Sequence, residues 1–165
     1  MKIVPYDRNK GVAYAHKWAF SRNPVYSDFL GIGGDCTNFI SQCIYAGSGV
    51  MNFKPVFGWF YKSMNNRTPS WTGVEYLYNF LTGNKEAGPF GNEASISDVM
   101  IGDIVQLSFD NTTFGHSLYV VSVGNVPALD NVLIATHTFN SDNRPLSTYN
   151  YERYRVIHIN GVRKP

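Results

Sequence analysis

Cysteine is scarce in this chain, with only Cys36 and Cys43 among 165 residues. Seven positions apart on one helix sets them ~10 Å apart along its axis, whereas a disulfide needs Cα atoms within about 7 Å. Two free thiols are therefore expected, and no staple. Metal-ligand spacing is missing too. There is no Cys-x-x-Cys, no His-x-x-x-His and no His-Glu-x-x-His, so no zinc motif is present and neither metal nor cofactor is expected. Gly31-Ile32-Gly33-Gly34 lacks the third spaced glycine of a dinucleotide fingerprint and the Gly-Lys-Ser/Thr of a P-loop. Charge is sparse, at 16% of residues with a net +2, too small and too dispersed for a nucleic-acid surface. Arg153, Arg155, Arg163 and Lys164 read as a solvated basic end. No stretch approaches the ~20 apolar residues of a membrane span. The run Met1-Lys2-Ile3-Val4-Pro5 is too short for a signal peptide. The chain is thus expected either to stay inside the cell or to have lost a leader and work outside it, at the cell wall. Asn66-Arg67-Thr68 and Asn111-Thr112-Thr113 are read as chance acceptor triplets.

What the chain has is apolar bulk and rings. Hydrophobic residues make up 44%, and this length buries about two-thirds of the unfolded surface around one core, so residues 1–165 read as one domain. Aromatics reach 15%, with 11 Tyr, 11 Phe and 3 Trp. That excess suggests that some rings line a groove. An irregular stretch over 50–71 supplies Trp59, Phe60, Tyr61 and Trp71. Of these, Trp59 and Trp71 are the candidate substrate-binding walls, with ordinary core packing under a long loop as the alternative.

Periodicity places helices first and strands later. A helix is predicted from about Lys10 to Ser21, capped by Asp7 or Asn9. A second runs from Cys36 to about Ala46. A third follows Thr72-Gly73-Val74-Glu75, which matches a capping box, and stops at Gly83. Gly88, Pro89 and Gly91 mark a loop. Residues 103–109, 116–123, 132–139 and 154–159 are rich in β-branched and aromatic residues and read as strands. The pattern is α+β, with N-terminal helices packed on one side of a C-terminal antiparallel sheet.

Two segments carry chemistry. In Gly33-Gly34-Asp35-Cys36-Thr37-Asn38-Phe39-Ile40, the glycines permit a sharp turn and Asp35 is suited to N-cap a helix. Cys36 then takes the first helical position, where the helix dipole favours a thiolate, although Asp35 opposes it. Gly115-His116-Ser117-Leu118-Tyr119 places a histidine at the start of an apolar strand. A thiol needs a base, and the thiolate is the nucleophile, so Cys36 with His116 points to a cysteine hydrolase. Cys43, on the apolar stripe, is expected in the core, and His16 and His158 read as structural.

These segments, with Tyr6-Asp7-Arg8, the stretch Trp71 to Leu81, Gly102-Asp103-Ile104-Val105-Gln106 and His137-Thr138 followed by Arg144-Pro145-Leu146, give the chain a resemblance to the bacterial putative amidase domain family. That family is a branch of the papain-like group that also holds the NlpC/P60 and CHAP cell-wall hydrolases. The resemblance covers nearly the whole length in order. It implies a papain-like fold, a cysteine nucleophile, a histidine base, a third polar group on the next strand, and amide bonds as targets.

If residues 116–123 pair antiparallel with 132–139, His116 falls opposite His137 or its neighbours Thr138 and Phe139, with opposed Cβ atoms about 5 Å apart. His137 is the candidate to orient His116, as a second histidine does in several papain-like cell-wall hydrolases. A one-residue slip would turn it to the other face, and Asn140 and Asp142 are the alternatives. The oxyanion hole is expected from the Cys36 N–H plus one further donor, with Tyr6, Tyr14 and Tyr26 as unresolved candidates. Expected substrates are peptides or N-acyl amides, peptidoglycan peptide among them. A non-catalytic peptide or glycan binding module and an acyl transferase are the rival functions.

Overall fold

Helix α1 spans Arg8–Trp18 because Asp7, in extended backbone, accepts the Lys10 N–H at 3.1 Å and closes the first turn. The computed structural model describes residues 1–165. It starts with a short strand β1, Lys2–Val4, ahead of α1. Helix α2, Cys36–Ser48, is buried along most of its length and ends on Gly49 in the left-handed conformation. A small hairpin, β2 (Tyr61–Ser63) and β3 (Asn66–Arg67), leads to a single turn α3, Pro69–Thr72, and then to α4, Val74–Gly83. The expected capping box is not formed. Thr72 belongs to α3, and α4 is preceded by Gly73 with no side-chain cap.

The sheet has seven antiparallel strands: β4 (Gly88–Ala94), β5 (Ile104–Ser108), β6 (His116–Ser122), β7 (Leu133–Thr136), β8 (Ser141–Pro145) and β9 (Arg153–Lys164), together with β1. Its path runs β1-β9-β5-β6-β7-β8, with β4 also on β9. The 12-residue β9 is the organiser: it pairs with β5 through its first half, with β1 at its end and with β4 along most of its length. The α+β pattern with helices ahead of the main sheet is therefore present. Strands β1, β4 and β8 were not predicted, and β4 replaces the loop expected around Pro89.

Strand alternation sends side chains to two faces. One face packs Ile104, Tyr119, Val121, Ala135 and Ile157 against α1, α2 and α4, with Phe39, Ile40, Cys43 and Ile44 in the same core. The other face holds Val105, Leu107, Leu118, Val120, Ile134 and Val156, packed with Leu146, Tyr149 and Tyr151 rather than with an α-helix. No helix is long and apolar enough to cross a membrane.

The motif residues at the far side of the site are framework. Arg8 donates to Asp103 at 2.7 Å and to the carbonyls of Ile101 and Ile159. Asp103, fully buried, also accepts from the N–H groups of Met100 and Ile159 and faces His158 Nδ1 at 2.8 Å. One carboxylate thus ties α1, the turn before β5 and β9 together. His16 pairs with Asp142 at 2.8 Å, joining α1 to β8.

Candidate active site

Gly33 and Gly34 adopt φ of +86° and +97°, a region that side chains other than glycine enter at a cost. The chain can therefore reverse just ahead of α2 and deliver Cys36 at its first position. Asp35 does not cap the helix with its side chain. Its carboxylate turns inward instead, accepting the Phe29 N–H at 2.8 Å and Asn38 Nδ2 at 2.9 Å, and facing His137 Nδ1 at 2.5 Å. Arg22 Nε lies 3.3 Å away. Burial alone would raise the Asp35 carboxyl, but the bonds from His137, Phe29 and Asn38 hold it below the usual carboxylate value.

His137 therefore does not orient His116. Its Nδ1 is taken by Asp35 and its Nε2 by the Trp18 carbonyl at 2.8 Å, while the ring stacks on Phe39 at 4.0 Å. The register explains why. Tyr119 pairs with Ala135 and Val120 with Ile134, so continuing the ladder sets His116 across from residue 138 and turns His137 to the helix-covered face. Asn140 and Asp142 form no bond to His116 either; Asp142 is held by His16. Trp59 and Trp71 also lie elsewhere than expected. Both are fully buried, their indole N–H groups donating to Ser41 and to Asn38. They are core under the irregular stretch and not groove walls. Tyr6 and Tyr14 are likewise committed, to Tyr119 with Gly102 and to Gln42, and Tyr26 packs among Tyr61 and Trp71.

Cys36 is 7% exposed. Burial pushes its thiol pKa up, reinforced by Asp35, against the lowering effect of the Ser117 and Thr37 N–H groups and the Thr37 hydroxyl at 3.8 Å. Behind it runs a buried polar chain. Gln106 Nε2 donates to Ser117 Oγ at 3.3 Å, and Ser117 meets Thr37 Oγ1 at 3.0 Å. Gln106 Oε1 in turn accepts from Arg155. Cys43 is fully buried, and both cysteines are free thiols.

His116 adjoins Ser117, whose N–H lies at the sulfur. No hydrogen bond joins thiol and imidazole, so the direct contact expected from sequence is absent in the resting site. Apo sites commonly hold such pairs loosely until substrate closes them. His116 is 9% exposed and forms no side-chain hydrogen bond. Burial, then the nearby Arg144 charge, lowers its pKa to about 4. The ring borders a cavity of about 520 Å³ with Phe109, Thr138, Phe139, Arg144 and Tyr149. Tyr149 lies near both groups: its ring centroid is 6.0 Å from that of His116, and its phenol, raised chiefly by burial, is raised further by Cys36. The Tyr149 hydroxyl is buried without a hydrogen-bond partner. Neither Arg144 nor Tyr149 was picked out as a site residue from sequence; Arg144 at least lies in the Arg144-Pro145-Leu146 motif. The chemistry on offer is a buried thiol at a helix N-terminus, a neutral imidazole with both nitrogens free, and unpartnered donors beside it.

The family model described as a putative amidase domain matches residues 5–160. The chain is 32% identical over 172 aligned residues to the Bacillus subtilis (strain 168) protein described as "Uncharacterized protein YhbB". That alignment covers 96% of the chain and 51% of the relative, so the chain spans about half the length of the curated protein it matches. No solved structure matches.

Proposed function

We propose, taking as premise that the chain belongs to the putative amidase domain family, that it hydrolyses amide bonds through Cys36 and a thioester acyl-enzyme. His116 is the base, and the scaffold is papain-like, related to the NlpC/P60 and CHAP hydrolases. The observation that carries this is the placement of the thiol: it heads α2 beside the backbone of Ser117, the residue that follows an imidazole with no hydrogen-bond partner of its own. A raised thiol and a lowered imidazole make the resting pair neutral, so the proton moves during attack and not before it. His116 accepts the Sγ proton as sulfur adds to the carbonyl carbon. The N–H groups at the start of α2 steady the oxyanion. The tetrahedral adduct collapses as His116 gives that proton to the leaving amine. Water, deprotonated by His116, then attacks the thioester and releases the acid and the thiol.

Peptides and N-acyl amides are the substrate class, with peptidoglycan peptide as the first to try. The test is incubation with peptidoglycan fragments and with simple peptide amides, followed by mass spectrometry of products and protein. Cleavage by the wild type, with turnover lost in Cys36→Ala and in His116→Ala, is expected. The loss for Cys36→Ala should be at least about 10⁴-fold. Unmodified retention of ligand would make the domain a binding module. Transfer of the acyl group to an added amine in preference to water would make it a transferase.

A further inference from the structure

We propose that the cavity beside His116 is a leaving-group subsite for a carboxylate, with Arg144 as its anchor and the Tyr149 hydroxyl as a second donor. The proposal rests on the hydrolase reading above and names the substrate class within it: amides whose amine half carries a free carboxylate on an apolar or aromatic residue.

The cavity contains a cationic donor and no carboxylate to pair with it. Arg144 spends Nε on Thr148 Oγ1 at 2.8 Å and one terminal nitrogen on the Thr148 carbonyl at 3.3 Å. Its remaining nitrogen has no partner, and no carboxylate pairs with it, although most of the other buried or half-buried charges in the chain are paired. The guanidinium lies 3.7 Å above the Tyr149 ring, which holds it in place beside His116. Ser141 and Arg144 lie near the Tyr149 hydroxyl without closing a hydrogen bond to it. No acidic residue lines the cavity. A cation with a free N–H beside a space that no acidic residue lines suits a carboxylate, and the buried Tyr149 hydroxyl, which has no partner to give up, can turn to it as the second donor.

The remaining walls fix the rest of the ligand. Phe109 is half-exposed and Phe139 is 88% exposed at the rim. Phe139 and its neighbour Thr138 are both held at positive φ, 56° and 61°. A non-glycine pair at positive φ is uncommon and costly, and here it presents an apolar ring to the cavity mouth. An exposed phenyl of this kind is suited to cover an apolar side chain. Position sets the direction of binding. His116 lines the cavity and Cys36 does not. Because His116 protonates the departing nitrogen, the amine half of the substrate lies on its side. A volume of about 520 Å³ holds one large residue with its carboxylate. Bound there, the carboxylate also neutralises the cation that disfavours protonated His116 and so makes His116 a stronger base.

The probes are N-acetyl-phenylalanine and its neutral counterpart N-acetyl-phenylalaninamide, added to the Cys36→Ala protein, with the His116 imidazole followed by NMR across pH. N-acetyl-phenylalanine is expected to bind and to move the His116 titration midpoint upward; the amide is expected to do neither. Arg144→Gln should weaken the carboxylate probe roughly 10- to 100-fold and abolish the difference between the two probes. Arg144→Lys should restore part of it, and Tyr149→Phe should have a smaller effect. Equal binding of both probes, or unchanged binding in a folded Arg144→Gln protein, would overturn the subsite. If instead the carboxylate probe binds through Arg144 but the wild type never cleaves it or any larger amide, the subsite stands and the hydrolase assignment falls.

Discussion

His116 opens β6 and His137 follows the end of the adjoining β7, and their surroundings are opposite in kind. His137 faces the helices, with one nitrogen on a carboxylate and the other on a carbonyl, and its ring against Phe39. His116 faces a cavity with no hydrogen bond on either nitrogen, a cation that suppresses its charge, and an orphan hydroxyl close by. Buried polar groups are normally satisfied. The imidazole whose two nitrogens are both satisfied is framework, and the one whose nitrogens are both free is where a substrate can supply the missing partners.

The sharpest way to break the contrast is to remove each ring. His137→Ala strips the Asp35 carboxylate of its shortest bond and opens a hole against Phe39. Leaving a buried carboxylate without its shortest hydrogen bond costs about 3–5 kcal/mol, and a thermal or urea melt should show a loss of that size. The milder His137→Gln should lose less and keep turnover per folded molecule. His116→Ala should change stability at pH 7 by no more than about 1 kcal/mol while removing turnover. A His137→Ala protein as stable as wild type but inactive would reverse the two roles.

A smaller effect separates the two sides by pH. The native pKa of His116, about 4, lies below its unfolded value of about 6.5. Between those values the unfolded chain binds a proton that the native chain refuses, so stability falls as pH drops through that window. The full shift corresponds to about 3 kcal/mol, lost between about pH 6.5 and 4 and absent from His116→Gln. Asp35 acts lower. Its native pKa is depressed, so its contribution is present above the ordinary carboxylate value of about 4 and is lost as pH falls further. Melts of wild type and His116→Gln at matched pH check the sign. If the two proteins lose stability in parallel from pH 7 to 4, His116 is not held neutral. The same depression predicts an acid limb of kcat/KM near pH 4 rather than 6.5.

Local chemistry was readable from the sequence where a residue type and its neighbours sufficed. The start of α2 at Cys36, the Asp7 cap, the core position of Cys43 and the framework roles of His16 and His158 all follow from spacing and capping rules. The framework strands β5, β6, β7 and β9 carried enough β-branched residues to be seen. What escaped depended on distant partners. Strand β4, Gly88–Ala94, looks like a loop because its glycines and proline suit turns, and it becomes a strand only by pairing along β9. Asp35 looks like an N-cap, but His137, 102 positions on, claims its carboxylate. The His116–His137 pairing failed on one step of register, the least visible property of a hairpin with a long loop. Trp59 sits in irregular chain and Trp71 in the single turn α3, too short for a period to mark a side chain as buried. Arg144 and Tyr149 become notable only through the absence of partners, which no sequence pattern encodes.

The subtlest contrast lies between the two thiols on α2. Burial raises the pKa of both, Cys43 well above the ordinary thiol value and Cys36 less, since the N–H groups of Ser117 and Thr37 favour its thiolate. Cys36 retains 7% exposure and Cys43 none. Thiolate fraction and access together set the alkylation rate. Iodoacetamide should therefore label Cys36 first, slowly at pH 7 and faster as pH rises, with a peptide substrate slowing it. Cys43 should react only at the rate of global unfolding, which mass mapping at increasing urea can fix. Cys36 sits beside the glycine turn at 31–34 and is already 7% exposed, so its labelling is expected to respond little to low urea. If both cysteines label together and only as the protein melts, the thiol is sealed in the native state, and a nucleophilic Cys36 is untenable however favourable its neighbours.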